Sequence, residues 1–100
     1  MHNIDINIPK IEKKGILGQC TPNPTTGATT ISYELYAEGA VEIFVYNSIG
    51  QLVLQIPQGT REEGAHQATV SLINMPKGIY HYALYINGER TDTKKLVLTY

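Results

Sequence analysis

The sequence predicts one all-β domain of seven antiparallel strands, folded as two sheets packed face to face. Three observations predict it. From Ile16 onward, short runs rich in Ile, Val, Tyr, Thr and Leu alternate with clusters of Gly, Pro and Asn. Within most of those runs apolar side chains recur at every second position, the period of a strand with one buried face. No window keeps apolar residues at helical spacing for three turns.

Taken in order, residues 1–15 are expected as a linker or loosely docked segment, and residues 16–100 as the sandwich. Ile4, Ile6, Ile8 and Ile11 are interrupted by Asn, Asp and Pro9, and Glu12-Lys13-Lys14-Gly15 then breaks the pattern. Strands are expected at about 16–20, 28–36, 40–47, 51–57, 65–72, 78–86 and 90–99. In the second, Ile31, Tyr33 and Leu35 share the core face. Val41, Ile43 and Val45 do so in the third, with Glu42, Phe44 and Tyr46 opposite. The fourth run is followed by a polar loop, Gln58 to Gly64. In the fifth strand Ala68, Val70 and Leu72 face inward. In the sixth, Tyr80, Tyr82, Leu84 and Ile86 oppose His81, Ala83 and Tyr85. In the last, Leu96 and Leu98 oppose Lys95, Val97 and Thr99. The turns fit: Gly50 closes Asn47-Ser48-Ile49-Gly50 in a left-handed conformation, Asn87-Gly88 is a hairpin signal, and Met75-Pro76-Lys77-Gly78 separates two strands. One apolar face per strand describes an immunoglobulin-like or fibronectin-III-like sandwich.

Composition narrows the function classes. The chain has 100 residues, 42% hydrophobic and 17% charged, which suits one packed core and excludes intrinsic disorder. Eight basic against nine acidic residues leave a net charge of −1, so there is no basic footprint for nucleic acid. No apolar run approaches the ~20 residues of a membrane helix, so no membrane insertion is expected. The single cysteine, Cys20, excludes an intrachain disulfide framework.

Catalytic chemistry is not visible. Cys20 would need a base, but parity places His66 with the core face of its strand and His81 on the outer face of another. A packed, idle thiol is the simpler reading. His66 is expected to cap the core edge and hydrogen-bond a loop carbonyl. His2, His66 and His81 show no metal-ligand spacing, and Glu62-Glu63 sit in a polar turn. No cofactor is implied. Tyr36, Tyr46 and Tyr85 fall on outward parity and could form a sugar-stacking platform, although strands favour tyrosine for its own sake. Lys13-Lys14 and Lys94-Lys95 are expected as solvated charges that discourage edge pairing.

A series of short motifs carries the reading further. Pro22-Asn23-Pro24 is followed by Thr30-Ile31-Ser32-Tyr33-Glu34-Leu35. Then come Tyr46-Asn47-Ser48-Ile49-Gly50-Gln51-Leu52-Val53, Gly64-Ala65-His66 and Gly78-Ile79-Tyr80-His81-Tyr82-Ala83-Leu84, and the series closes on Lys94-Lys95-Leu96-Val97-Leu98. This order closely resembles the type A C-terminal sorting domain of the type IX secretion system of Bacteroidetes, over residues 19 to 98. Two positions depart from the family pattern. Cys20-Thr21 stands where an Asn-aromatic pair is common, and Tyr100 where many relatives carry a basic residue.

The resemblance implies a sorting signal rather than an enzyme. Such domains direct a larger cargo through the outer-membrane translocon, and a sortase-like peptidase commonly removes them. The cargo is then released or attached to an anionic lipopolysaccharide. This chain would be a C-terminal piece of a protein that is secreted or placed on the cell surface by way of the periplasm, cut in or before residues 1–15. Its partners would be the translocon and the peptidase, and unpaired edges would support a weak homodimer. Gly78, Tyr80, Lys94, Lys95, Leu96, Val97 and Leu98 match the recognition segment, read as an exposed edge by strand addition. Pro22, Asn23, Pro24 and Gly50 match structural motifs, with the prolines carrying the chain between sheets as an extended corner. Tyr80 should bury its ring while its hydroxyl reaches a backbone partner. The alternative is an accessory sandwich, a carbohydrate binder or spacer of a secreted enzyme or adhesin.

Overall fold

In a computed structural model, described over residues 13–100, seven strands follow one another with no helix among those residues. They are β1 (Gly15–Leu17), β2 (Ala28–Leu35), β3 (Gly39–Tyr46), β4 (Leu52–Arg61), β5 (Gly64–Ser71), β6 (Gly78–Ile86) and β7 (Glu89–Leu98). A three-stranded sheet in the order β1-β2-β5 packs on a four-stranded sheet in the order β4-β3-β6-β7, and every strand pairing is antiparallel. This is the expected all-β sandwich, and its strand order is consistent with an immunoglobulin-like arrangement. The linker expected at residues 1–15 lies almost wholly outside the described residues.

Alternation positions the core as the sequence predicts. Ile31, Tyr33 and Leu35 from one sheet meet Val41, Ile43, Val45, Tyr82, Leu84 and Leu96 from the other, all buried. Each such aliphatic side chain contributes about 1.5–3 kcal/mol by leaving water. Ala83 departs from the expectation. It has outward parity yet is wholly buried, because its methyl lies between Phe44 and Thr93 in the register and cannot reach past its larger neighbours.

Two elements differ in extent. The first strand ends at Leu17 rather than at residue 20, although Gly18 and Thr21 still bond to β2 at Ser32 and Thr30. β4 continues through Arg61, so the loop expected at Gln58–Gly64 shrinks to Glu62-Glu63. The expected strand stops at 57, ahead of that polar run. β4 is an edge strand, where a missing donor is tolerated, and a register shift opposite Val41/Glu42 absorbs the extra residue.

Tyr82 ties the sheets together. Its hydroxyl donates to Gly18 O at 2.8 Å and accepts from Cys20 N at 3.0 Å. Burial pushes its pKa up, and the neighbouring Cys20 adds to the shift. Nearby, Leu17 N donates to Asp92 Oδ2 at 2.8 Å, joining β1 to β7.

Candidate functional site

The strand ends fall at two poles. One holds Gly15, Leu35 to Gly39, Arg61 to Gly64 and the Asn87-Gly88 turn. The other gathers the segment 21–27, the turn 47–50, the loop 72–77 and the end of β7. The proline motif, the Asn-x-x-Gly turn, the Gly78 segment and the terminal strand therefore meet at this second pole.

Thr21 still pairs with Thr30 of β2. The Thr21-Pro22 and Asn23-Pro24 peptide bonds are both cis, and Thr25 then forms a parallel bridge to Leu98. The segment thus crosses from one sheet to the other, as expected of Pro22 and Pro24. Asn23 acts as a piece of strand. Its Oδ1 accepts from Val97 N at 2.9 Å and its Nδ2 donates to Lys95 O at 3.2 Å. Thr25 continues the ladder, with Thr25 N donating to Val97 O at 2.9 Å and Thr99 N to Thr25 O at 2.8 Å. The Thr25 side chain is buried and holds its own turn, donating to Ala28 O and accepting from Gly27 N. The edge of β7 between Lys95 and Thr99 is therefore occupied by residues 23–25, where an open edge was expected.

The two lysines differ more than expected. Lys94 is half-buried on the side of Leu96 and Leu98, whereas Lys95 is exposed and paired across the sheet with His81. Only Lys95 is the solvated charge predicted for both. Leu96, Leu98 and Tyr80 are buried, and Val97 is half-buried opposite Ile79 on the outer face.

The supporting turns follow local chemistry. Asn47 Oδ1 accepts from Ile49 N and Gln51 N at 3.1 and 2.9 Å, an Asx-type turn that leaves Gly50 at φ 85°. That left-handed value favours glycine. Tyr80 buries its ring as predicted, and its hydroxyl donates to Pro76 O at 2.5 Å, fixing the loop ahead of Gly78.

Beside this pole, the outer face of the four-stranded sheet carries an aromatic group that parity alone did not assemble. Phe44 and Tyr85 have ring centroids 4.6 Å apart, and the Tyr46 and Tyr85 hydroxyls are 3.3 Å apart. That hydrogen bond, with some burial, raises the Tyr46 pKa, and the charge of Arg90 opposes the shift. Tyr46, His81, Arg90 and Thr93 border an open hollow under the 47–50 turn. Tyr36 stands at the far pole, beside Lys13, Lys14 and Glu38. The structure therefore brings two of the three candidate platform tyrosines together and leaves the third apart.

The catalytic candidates are not assembled. Cys20 is buried. His66 bonds Glu62 O at 2.7 Å and stacks on Tyr33 at 5.4 Å, the core-edge role expected of it. His81 is exposed on the outer face of the other sheet. No group of three or more His, Cys, Asp or Glu side chains converges among the described residues, and His2 lies outside them. Among the described residues no helix is long and apolar enough to cross a membrane.

Residues 20–99 match the family described as secretion system C-terminal sorting domain. No curated protein matches the chain. Among solved structures, the chain is similar to a β-glucosidase from Kluyveromyces marxianus, with a TM-score of 0.57 at 9% identity. The match covers 89% of this chain and 14% of that one. The glucose complex of that enzyme gives a TM-score of 0.57 at 8% identity over the same shares. At these identities the likeness concerns the fold alone.

Proposed function

The chain belongs to the secretion system C-terminal sorting domain family, the sorting signals of type IX secretion, and from that premise we propose that its terminal-strand pole is the part the translocon engages. Domains of this family sit on exported proteins that are secreted or attached to the surface, and they are signals rather than enzymes. The observation that carries the proposal is the convergence of the motif segments. The proline motif, the turn at Gly50, the loop before Gly78 and the strand Lys94–Leu98 surround one end of the sandwich. The Gly50 turn and Gly78 arrive there through the β3-β6-β7 pairings, and the proline motif joins them because Asn23 and Thr25 fasten themselves to β7.

In this reading the candidate recognition residues divide by role. Tyr80, Leu96 and Leu98 build the strand from inside, and Gly78 starts its partner. Lys95 and Val97 are what a partner touches. The chain enters the sandwich at Gly15, at the opposite pole, so a cargo joined ahead of it stands clear of the recognition end. A sortase-like peptidase would cut ahead of β1, where removing the cargo leaves the sandwich intact. The domain itself performs no catalysis.

The test is an export assay. Residues 1–100 are fused behind a fluorescent protein with a Sec signal peptide, in a bacterium with a working type IX system. Surface or medium fluorescence is expected for the intact fusion only. A copy ending before Lys94 and a translocon-deficient host should both retain it. Retention of a folded, intact fusion in a host that exports related domains overturns the proposal.

A further inference from the structure

We propose that the outer face of the four-stranded sheet, around Tyr46, His81, Arg90 and Lys95, is the surface on which an acidic segment of a secretion-machinery protein docks. The inference rests on the sorting role and adds to it where the partner sits and what chemistry it carries.

The closed edge of β7 leads there. Its Lys95 carbonyl, both backbone polar groups of Val97 and the Thr99 amide are already bonded to Asn23 and Thr25. Strand addition along that stretch would have to displace them, so a partner meets side chains instead. Leu96 and Leu98 are buried, and Lys94 is half-buried on their side. What remains outward on β7 is Arg90, Thr93, Lys95 and Val97. Across the sheet, Lys95 faces His81, and His81 faces Tyr46. Arg90 joins the same group, bordering the hollow with Tyr46, His81 and Thr93.

The chemistry of this face selects its occupant. Among the described residues the ion pair is Lys13 with Asp92, so Arg90 and Lys95 are cations without an acidic partner. Both are exposed, in a chain whose overall charge is −1. Glu42 is an acid on the same face, in the cross-strand row of Arg90, with Tyr85 between the two. Half-buried rings of Phe44, Tyr46 and Tyr85 lie beside the two cations. Unpaired cations next to aromatic surface suit a partner carrying carboxylates, through charge complementarity and guanidinium hydrogen bonding.

The export fusion described above tests this with Arg90→Glu/Lys95→Glu, and with Lys14→Glu at the opposite pole as control. Export of the double variant should fall by about tenfold or more while its melting temperature holds, and the Lys14 variant should be exported normally. Normal export of the double variant beside an exported parent overturns the docking surface and leaves the sorting role standing. Failure of the parent fusion strikes the sorting role instead. An equal loss for Lys14→Glu overturns the surface in favour of a general charge effect. Should the double variant unfold, His81→Glu adds one acid to the same row, and the same two outcomes decide. A separate arm compares binding of the isolated fusion to poly-glutamate and to polygalacturonate. Binding to poly-glutamate that the double variant loses supports the proposal. Binding to polygalacturonate alone assigns the face to an anionic sugar and overturns a protein occupant.

Discussion

Asn23 Oδ1 accepts the amide hydrogen of Val97 at 2.9 Å, joining two residues 74 positions apart as if they were neighbours in a sheet. The same side chain donates to Lys95 O. Asn23→Asp keeps the acceptor, loses the donor and sets a carboxylate against a carbonyl. We expect Asn23→Ala to cost about 1–2 kcal/mol and Asn23→Asp at least as much. Urea denaturation gives the loss, and hydrogen exchange should show the Val97 amide opening early. Unchanged Val97 exchange in Asn23→Ala would contradict the pinning role.

Tyr82→Phe removes the hydroxyl that serves both Gly18 O and Cys20 N. Leaving a buried partner unsatisfied costs about 1–3 kcal/mol, so a clear fall in melting temperature is expected from the loss of one oxygen atom. A change under about 0.5 kcal/mol would mean that water replaces the hydroxyl.

The pH dependence follows from the same residue. Burial raises the pKa of Tyr82, and also that of Tyr33, above the ordinary value of 10.0. Below pH 10 both are neutral whether the chain is folded or unfolded, and their contribution is fully present. Above it the unfolded chain ionises first, so stability falls as pH rises through the folded values. Denaturation midpoints measured across the alkaline range should decline, and Tyr82→Phe should flatten the decline.

Glycines at Gly50 and Gly15 should fail for different reasons. An added Cβ at Gly50 meets nothing, but φ is 85°, so Gly50→Ala costs about 1–2 kcal/mol of conformational strain. Gly50→Asn should recover most of it. At Gly15 a Cβ would lie 2.6 Å from Glu34 O and 2.9 Å from Ile86 Cδ1. Gly15→Ala should therefore be destabilised by crowding, and Asn should do no better. Equal rescue by Asn at both sites, in thermal melts, would refute the distinction.

Lys94 and Lys95 should also separate. Lys94→Glu places a second acid beside Asp92 on the half-buried side of β7, and should lower the melting temperature. Lys95→Glu, exposed on the other side, should leave stability within about 0.5 kcal/mol and act on export.

Most of the sandwich is legible in the sequence because each strand declares its buried face locally. Ile31-Tyr33-Leu35 and Val41-Ile43-Val45 need no knowledge of their partners. The site is less legible for the opposite reason. That Asn23 completes the ladder on β7 depends on a strand at the other end of the chain. Parity separates Lys94 from Lys95, but the charges of both suggested solvent. Ala83 fails because small side chains take the burial of their neighbours. The polar run Gln58 to Gly64 is expected as loop, whereas the edge strand β4 carries most of it through Arg61.

The fastening of residues 17–25 to β7 bears on protein synthesis. Ribosomes release the beginning of a domain first, and here the beginning is completed by the end. A chain halted before Lys95 leaves Asn23 and Thr25 without the backbone groups they bind, and one halted before Asp92 also leaves Leu17 N without its acceptor. The pole that gathers the motifs cannot form until translation has run almost to Tyr100. A product terminated ahead of Lys95 lacks the strand that completes this pole, so the two ends of the sandwich are made at different times and joined last.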